Sequence, residues 1–582
     1  MSLIGIMDSL KWLTVYELAL CLLQLIVLGL FAIPFKNRRR WMDYAPSFGL
    51  PIVAASLLTG NDTLPALVLY AHTIILFAFS VRRLLRPKWH QSHLQNSSSS
   101  SSAARPRVLA RFFQITACLC GIIPIVLALS YAGSMRYNPA SDFSELSYSK
   151  AFANMNSRLE KEYPFGDWKR IDWLQLKEHY EPIFRLADQR KDAALYYKTL
   201  KSYLSELRDG HIKIINDNLY NGNRFFYDEV GGGFGISTIG LDNGKVLVNL
   251  VLENSAAAQS GIKPGAELLT WDGKPAQQAY DDVAWSENSA ATNELTYINK
   301  GRFLARAPVG REVQAEFRNW GEEGTIKVQW RAADDQFETL KRTKPAMTRE
   351  QLETEPPIES KVLDNGFGYM KVKHFLPDTR GGSQEQEMRQ ALLTFQERRV
   401  KGIIVDLRNN PGGSDQLGAE MVGYFVNKPL HYEYVSYYNR YTGKFEINRN
   451  EIVTVKPQKP HWNGEVVLLV NSYTASTGEG MPLLMKGMPN VQIVGFTPTA
   501  GSFAVMSSPI EIKLPEGYVV RFPDGRSLDG QKQIQGDADG TGAGGAAPDM
   551  VIPTNEETFR MQVLEARDVE LDWAIKALDA RW

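Results

Sequence analysis

Cysteine is nearly absent from this chain of 582 residues, and its three cysteines, Cys21, Cys118 and Cys120, lie near the N-terminus. The remainder therefore has neither a disulfide framework nor thiolate ligands for a metal site. The chain also lacks a charge excess, since 65 basic residues balance 65 acidic ones. Without a basic excess to neutralise phosphates, a nucleic-acid partner is not expected. The length predicts several domains.

Histidine is scarce as well, with eight in the chain, so few residues can serve as a general base near neutral pH. His211 follows Asp209 and Gly210 at a predicted helix-to-strand corner, and His374 follows a predicted strand over 368–373. Position alone leaves both as candidates, and either can equally be structural.

Four apolar runs occupy the first 135 residues, at 13–35, 44–59, 64–80 and 112–132. The first has about 23 residues, enough to cross a bilayer. Basic clusters follow the first and third runs and precede the fourth, and such clusters remain in the cytoplasm. We therefore predict a multi-pass membrane domain over 1–135 with about four transmembrane helices, a lipid bilayer partner, and an extracytoplasmic remainder. A topology with three transmembrane helices would instead place one of the basic clusters on the extracytoplasmic side.

Three further regions follow the apolar runs. Residues 136–215 show aromatic and leucine residues at helical spacing, which predicts an α-helical layer. Residues 228–333 are rich in short apolar strands and glycine turns, which predicts a small β-domain. From 345 to 582 strands alternate with helices, which predicts an α/β core.

Two turns of this core carry chemistry. The run 466–470 reads as a buried strand, and Ser476 follows it where a helix begins. A hydroxyl there lies beside unpaired backbone N–H groups and the positive end of the helix, which suits a nucleophile and an N-cap residue equally. The turn at Gly412 and Gly413 follows the strand 400–407, and it either makes a sharp bend or offers N–H groups to an oxyanion.

Three segments in this order, 207–211, 403–413 and 466–480, resemble the tail-specific, or carboxyl-terminal processing, peptidases and their tricorn-like branch. The resemblance covers about residues 145–555. It implies a multidomain protein with a crotonase/Clp-protease-like α/β core, a serine endopeptidase activity without a cofactor, and a protein or peptide substrate held by its C-terminal tail. Together with the apolar runs, the resemblance predicts a membrane-anchored peptidase that acts on extracytoplasmic proteins.

The resemblance also assigns roles to residues. Ser476 matches the nucleophile, because Glu479 stands three residues after it as in the family. One branch carries a lysine base where this chain has Gly501, whereas the tricorn-like branch uses a histidine, which matches His211. The orienting carboxylate matches Asp529, where the family has glutamate. Oxyanion donors are then Thr477 with Gly412 or Gly413.

The β-domain resembles a PDZ module through its segments 231–236, 255–258 and 261–265. Such modules add a peptide as an extra strand and hold its terminal carboxylate on loop N–H groups. The residues implied here are Gly233, Phe234, Gly235 and Ile236. An ordinary glycine-rich turn is the alternative reading. Residues 280–310 exceed what a minimal module needs, which predicts a modified or covered groove.

Several rival readings stay open on the sequence. Lys486 is a rival base but lies nearly three helical turns from Ser476. Asp537 and Asp539 lack the further carboxylates of a calcium loop, so no metal is predicted. The main alternative function is a catalytically inactive PDZ-bearing binding or sensor protein, and a small-ester hydrolase is a third. Nothing in the sequence sets the oligomeric state.

Overall fold

The computed structural model describes residues 15–33, 40–58, 64–84, 126, 141–220, 222–344, 351, 354–377, 383–439 and 442–581. These residues fall into two compact units. The first takes its members from 1–139 and 437–451, and the second from 140–436 and 452–582.

The N-terminal part of the first unit consists of helices α1 (Val15–Ala32), α2 (Gly49–Leu58) and α3 (Leu64–Leu84), with a 3-10 helix at Arg40–Phe48. Gln24 ties α1 to α3, because its Nε2 donates to Leu69 O and Thr73 Oγ1, both at 2.9 Å. Within the described residues, no helix has the length and apolarity needed to span a membrane. The predicted run 112–132 lies outside them except for residue 126.

The second unit contains helices throughout its length. They are α4 (Tyr148–Glu162), α5 (Trp173–Arg190), α6 (Ala193–Glu206), α7 (Arg224–Val230), α8 (Ala256–Gln259), α9 (Ala276–Asp281), α10 (Asn293–Phe303), α11 (Glu338–Arg342), α12 (Gln384–Glu397), α13 (Asp415–Val422), α14 (Thr477–Met485), α15 (Glu556–Phe559) and α16 (Val569–Asp579). Short 3-10 turns lie at Gly423–Phe425 and Pro515–Gly517, and a π turn at Arg560–Leu564.

Strands alternate with these helices. They are β1 (Ser141–Asp142), β2 (Lys213–Ile214), β3 (Gly232–Gly233), β4 (Ile236–Gly240), β5 (Val246–Val251), β6 (Glu267–Trp271), β7 (Lys274–Pro275), β8 (Arg306–Ala307), β9 (Glu312–Arg318), β10 (Ile326–Arg331), β11 (Ala333–Asp334), β12 (Ile358–Val362), β13 (Gly368–Val372), β14 (Gly402–Asp406), β15 (Leu430–Asn439), β16 (Lys444–Val455), β17 (Glu465–Leu469), β18 (Val491–Gly495), β19 (Ile510–Lys513), β20 (Val519–Phe522), β21 (Gly525–Leu528) and β22 (Met550–Val551).

The α/β core is built on a six-stranded sheet in the order β12-β13-β14-β17-β18-β22. β12 pairs antiparallel with β13, and the other pairs are parallel. Both faces are covered. Val466 and Leu468 face a cluster that includes α12, α13 and α14, whereas Val467 and Leu469 face a cluster that includes α16. Burial on both faces explains why this strand is apolar at every position.

The predicted helical layer is present as α4, α5 and α6. Its core is shared with a four-stranded sheet in the order β1-β19-β20-β2, so strands near residues 510–522 complete it. Asp172 and Asp192 start two of these helices by accepting the N–H of Gln175 and Leu195, each at 2.9 Å. β2 follows the Asp209–His211 turn, and its pairing with β20 fixes the position of that turn.

The predicted β-domain contains an antiparallel sheet in the order β10-β9-β6-β5-β4, with β7 paired to β6. β4 is therefore an edge strand. Helix α10 packs directly on it, because Thr238 Oγ1 donates to Gly301 O at 2.9 Å and a Cβ on Gly301 would lie 2.3 Å from Thr238 O. The domain boundaries proposed from sequence at 228–333 and 345–582 stay predictions.

Candidate active site

Ser476 occupies the strand-to-helix turn between β17 and α14, as predicted. Its backbone has φ 54° and ψ −133°, a conformation that non-glycine residues rarely adopt. It stands at the N-cap position, but its hydroxyl makes no capping hydrogen bond. The neighbouring Thr474 is structural instead, because its buried Oγ1 donates to Leu407 O at 2.8 Å. The Ser476 hydroxyl thus lies on a strained turn without a hydrogen bond to any residue that the structure describes.

The glycine turn lies directly against the nucleophile candidate. A Cβ on Gly412 would lie 2.7 Å from Ser476 Cβ and 2.8 Å from Thr477 N, and Gly412 has φ 92°. No larger residue fits this approach. The Gly412 N–H is already used, because it donates to Asn410 Oδ1 at 2.9 Å.

Two N–H groups remain beside Ser476. In the described part of the chain, the amides of Gly413 and Thr477 donate no hydrogen bond. The Thr477 side chain bridges the two turns, since its Oγ1 lies 3.0 Å from Gly413 O and 2.7 Å from Asp415 Oδ1. The pair Gly413 and Thr477 is thus available for an oxyanion, and Gly412 is not.

His211 lies in the turn before β2 and is 15% exposed at its side chain. Its Nδ1 is buried without a hydrogen bond to any described residue. Burial lowers the pKa of the imidazole, and the negative charge of Asp209 partly opposes that shift. The ring is therefore neutral at neutral pH and can accept a proton.

Ser502 connects the two predicted catalytic residues. Its carbonyl accepts the N–H of Ser476 at 2.8 Å, and a Cβ on Gly210 would lie 2.9 Å from its Oγ. Ser502 thus contacts Gly210, the residue before His211, through its side chain and contacts the backbone of Ser476 through its carbonyl. Among the described residues, no hydrogen bond joins the His211 ring to the Ser476 hydroxyl.

Among the described residues, no ion pair or hydrogen bond joins Asp529 to His211. Asp529 Oδ1 closes its own turn by accepting the N–H groups of Gln531 and Gln533, both at 2.8 Å. The carboxylate beside the imidazole is Asp209, whose Oδ1 lies 3.8 Å from His211 Nδ1. The assignment of Asp529 stays a prediction, and the observed contacts of its carboxylate lie within its own loop.

Asp209 is itself held firmly. It is 1% exposed, its Oδ2 accepts the Tyr163 hydroxyl at 2.7 Å, and its Oδ1 accepts the backbone N–H of His211 at 2.8 Å. The sequence placed it two residues before His211, and that adjacency was the signal that could have identified it.

The alternative bases are engaged elsewhere. Gly501 has no room for a side chain, because a Cβ there would lie 2.8 Å from Thr292 Cγ2 and 3.0 Å from Ala538 Cβ. Lys486 Nζ donates to Ala547 O at 2.5 Å and to Asp549 Oδ1 at 3.0 Å. His374 Nδ1 accepts the N–H of Leu376 at 3.2 Å. A lysine-based site is therefore not available at either position.

The two aspartates weighed for calcium have local roles. Asp539 Oδ1 accepts the N–H groups of Thr541 and Ala543 within its turn. Asp537 is buried, and its Oδ1 accepts the N–H of Phe503 at 3.2 Å. Among the described residues, no group of three potential ligands is arranged for a metal ion.

The predicted peptide-binding residues precede the edge strand β4. Gly233 is paired on both sides, with β8 and β11, and Phe234 is 1% exposed. Gly235 O accepts the N–H of Leu252 at 2.8 Å, and Ile236 begins β4. This stretch therefore leads into a sheet edge, but α10 covers the edge that a peptide would use.

Comparison with known proteins finds matches over the part of the chain that contains Ser476. Residues 366–552 match the model of Peptidase family S41. The carboxy-terminal processing protease CtpA of Bacillus subtilis is 26% identical over 256 residues, covering 44% of this chain and 44% of that protein. A probable CtpA-like serine protease of Staphylococcus haemolyticus is 21% identical over 465 residues, covering 78% and 77%.

The chain spans 44% of the length of CtpA and 36% of the length of a second relative, the carboxy-terminal processing protease CtpB of Bacillus subtilis, which is 23% identical over 209 residues. Among solved structures, mature CPAF complexed with lactacystin is similar in fold, with a TM-score of 0.52 and 14% identity over 74% of this chain and 97% of that chain. Together, the match over 366–552 and these relatives show that this part of the chain is similar to Peptidase family S41 and to carboxy-terminal processing proteases.

Proposed function

We propose that this chain is a serine endopeptidase whose nucleophile is Ser476, with His211 as general base and Asp209 as the residue that positions it. One observation carries the proposal. Ser476 presents its hydroxyl on a strained turn, and beside it lie the amides of Gly413 and Thr477; none of these three groups has a hydrogen-bond partner within the described part of the chain. A nucleophile next to two free donors is the arrangement that acyl transfer requires.

The proposed reaction has two steps. Ser476 Oγ attacks the carbonyl carbon of the substrate while His211 Nε2 takes the hydroxyl proton, and the peptide C–N bond then breaks as the imidazolium gives that proton to the leaving amine. Water, deprotonated by the same imidazole, hydrolyses the acyl ester and restores the hydroxyl. The amides of Gly413 and Thr477 bind the oxyanion in both steps. Losing one such donor costs about 3 kcal/mol of transition-state stabilisation.

The catalytic reading is tested by labelling the full-length chain with a fluorophosphonate probe. We expect the wild type to be labelled and the Ser476→Ala variant to remain unlabelled. Ser472→Ala is the matched control, since it removes a buried hydroxyl that bonds Thr497 Oγ1 at 2.7 Å on the same turn. Labelling that is absent from the wild type, or that survives Ser476→Ala, rejects the proposal.

A second candidate is an inactive peptide-binding or sensor protein on the same scaffold. It is favoured by the lack of a hydrogen bond between His211 and Ser476, both described residues, and by the 3.8 Å separation of His211 Nδ1 from Asp209 Oδ1. In that case the probe leaves the wild type unlabelled while the protein still binds peptides. A small-ester hydrolase would be labelled and would turn over esters but not peptides.

We also propose that the β-domain is a PDZ-like module that binds the C-terminal tail of a substrate along β4, with Gly233, Phe234, Gly235 and Ile236 near its carboxylate. The edge position of β4 supports this. Docking requires α10 to shift, because Gly301 lies against Thr238. Fluorescence anisotropy with the Ser476→Ala variant tests it. Peptides with a free carboxylate should bind more tightly than their amides, and equal binding would reject the mode.

The location of the protein is a further proposal. The four apolar runs and the flanking basic clusters of the sequence support a multi-pass protein of the cell membrane with an extracytoplasmic catalytic part. Alkaline carbonate extraction should leave the full-length chain in the membrane pellet. An added protease should reach the catalytic part only from the outer side. Recovery in the soluble fraction would contradict the proposal.

A further inference from the structure

Glu479 is a buried carboxylate that the proposed chemistry does not use. It lies on α14, three residues after Ser476, and is 0% exposed. Its oxygens accept three hydrogen bonds from one short segment: Thr499 Oγ1 at 2.5 Å, Gly501 N at 3.1 Å and Ser502 N at 2.8 Å. A buried charge with this many donors organises the backbone that supplies them.

The segment held by Glu479, residues 499–502, contacts the nucleophile turn at two points. The Ala500 N–H donates to Thr474 O, and the Ser476 N–H donates to Ser502 O, both at 2.8 Å. On its other side, Ser502 Oγ lies against Gly210, the residue before His211. One segment therefore touches both halves of the proposed Ser476–His211 pair.

We propose that Glu479 is a positioning residue of the peptidase reaction: its carboxylate holds residues 499–502 so that Ser502 aligns the Ser476 turn with the His211 turn. This inference rests on the proposed function of Ser476. Glu479 itself touches no reacting atom. Its effect is on the geometry of the hydroxyl and the imidazole, and a displacement of about 1 Å at such a pair costs on the order of a hundredfold in rate.

The Glu479 carboxyl changes its protonation state near neutral pH. Burial raises its pKa to about 7, although the bonds from Thr499, Ser502 and Gly501 oppose the shift. The ionised carboxylate satisfies all three donors, whereas a proton on it could be accepted only by the Thr499 hydroxyl, because the other two partners are backbone N–H groups. Protonation therefore loosens the segment.

Other titratable groups surround this region. The Asp537 carboxyl has its pKa raised well above its usual range by burial and by the negative charges of Asp209 and Glu479. Burial lowers the pKa of Lys169, and the negative charges of Asp209 and Asp537 oppose that shift. Asp415, bonded to Thr477, also has its pKa raised by burial. The charged groups on other elements that interact with the Glu479 and Asp537 carboxyls are Lys169 and Asp209, and His211 lies beside Asp209.

The test measures peptide hydrolysis and fluorophosphonate labelling by the full-length chain against pH. For the wild type we expect activity to fall on the acid side of the pH profile (its acid limb) with a midpoint near pH 7, which is set by the protonation of Glu479. In Glu479→Gln, kcat falls about 10- to 100-fold with KM nearly unchanged. The acid side of its pH profile moves below pH 6.5, because it is then set by His211 with its lowered pKa. Thr499→Val removes one donor to the anion, so it moves the limb in the opposite direction, above pH 7.

Glu570→Gln is the matched control. Glu570 is also buried, with its pKa raised by burial to about 7, but it bonds Arg408 rather than the 499–502 segment. It should leave the acid limb in place. If Glu479→Gln and Thr499→Val label at the wild-type rate with the wild-type limb, Glu479 is merely structural and the inference is overturned. A wild type that is not labelled at all instead rejects the proposed function.

One further measurement keeps the inference testable if Glu479→Gln is inactive or poorly folded. Hydrogen exchange at the amide of Ser476 should be faster in Thr499→Val than in the wild type, because that amide bonds Ser502. Unchanged exchange there would contradict a positioning role for the segment.

Discussion

Gly412 packs against Ser476 so closely that a Cβ on the glycine would lie 2.7 Å from the Cβ of the serine. The contact joins the turn after β14 to the turn after β17, which are neighbouring parallel strands. Because the carboxyl ends of parallel strands meet at one edge of a sheet, two sequence-distant turns form one site. The candidate oxyanion donors and the nucleophile depend on this contact.

Gly412→Ala should therefore reduce fluorophosphonate labelling by about a hundredfold or more, since the turns must separate to admit the methyl group. Gly412 also has φ 92°, which alanine adopts only with strain. Gly487→Ala is the control, because Gly487 has φ 82° but no atom within 4 Å of an added Cβ. If both variants label equally slowly, backbone strain rather than the contact is responsible.

Asp209→Asn should lower kcat by up to roughly 100- to 10,000-fold, the range attributed to acid–base catalysis, while Asp529→Asn should change it less than about twofold. The negative charge of Asp209 raises the pKa of His211, so its loss lowers that pKa further. The pH dependence of the Glu479→Gln and Asp209→Asn double variant should show this lowered limb. A large effect of Asp529→Asn with none from Asp209→Asn would restore the sequence-based assignment.

Glu479 should also shape the pH dependence of stability. Its pKa is raised to about 7 in the folded chain from a usual 4.5, so the folded state binds more protons than the unfolded state between those values. Its contribution is fully present below pH 4.5 and is lost as the pH rises through 7. The loss is about 3 kcal/mol at most, at about 1.4 kcal/mol per pKa unit.

Thermal unfolding of the full-length chain from pH 4.5 to 8 measures this effect. Over that range, the unfolding free energy of the wild type should fall relative to that of Glu479→Gln as the pH rises. A difference that stays constant with pH would show that the carboxyl does not titrate there.

Gly301→Ala should displace α10 from β4, because the added Cβ would lie 2.3 Å from Thr238 O. We expect a loss of about 1–3 kcal/mol in stability from overpacking and tighter binding of a C-terminal peptide. Gly324→Ala is the control in the same domain, since no atom lies within 4 Å of its added Cβ. Unchanged peptide affinity in Gly301→Ala would mean that α10 does not cover a binding edge.

The elements around the site were largely predictable from sequence. The run 466–470 corresponds to β17 (Glu465–Leu469), and the predicted strand 400–407 contains β14 (Gly402–Asp406). Both are governed by local apolar periodicity, which a sequence displays directly. The positions of Ser476 and of the glycine turn followed from these elements.

The remaining features depend on long-range packing that the sequence does not display. The strand predicted from His211 is shorter, at Lys213–Ile214, and leaves His211 in a turn whose position depends on pairing with residues 520 and 521. The engagement of the Gly412 amide by Asn410 and the turn closed by Asp529 are side-chain choices within loops. Such choices follow from tertiary contacts rather than from periodicity.

The most direct test of Ser476 as a peptidase nucleophile is the cleavage of an unfolded protein substrate, with mass spectrometry of the products and of the enzyme. Wild type should cut internal peptide bonds and carry a transient acyl group on the peptide that contains Ser476. Ser476→Ala should do neither, and Ser472→Ala should do both. Cleavage by Ser476→Ala at the wild-type rate, or an acyl group on another residue, would contradict the account.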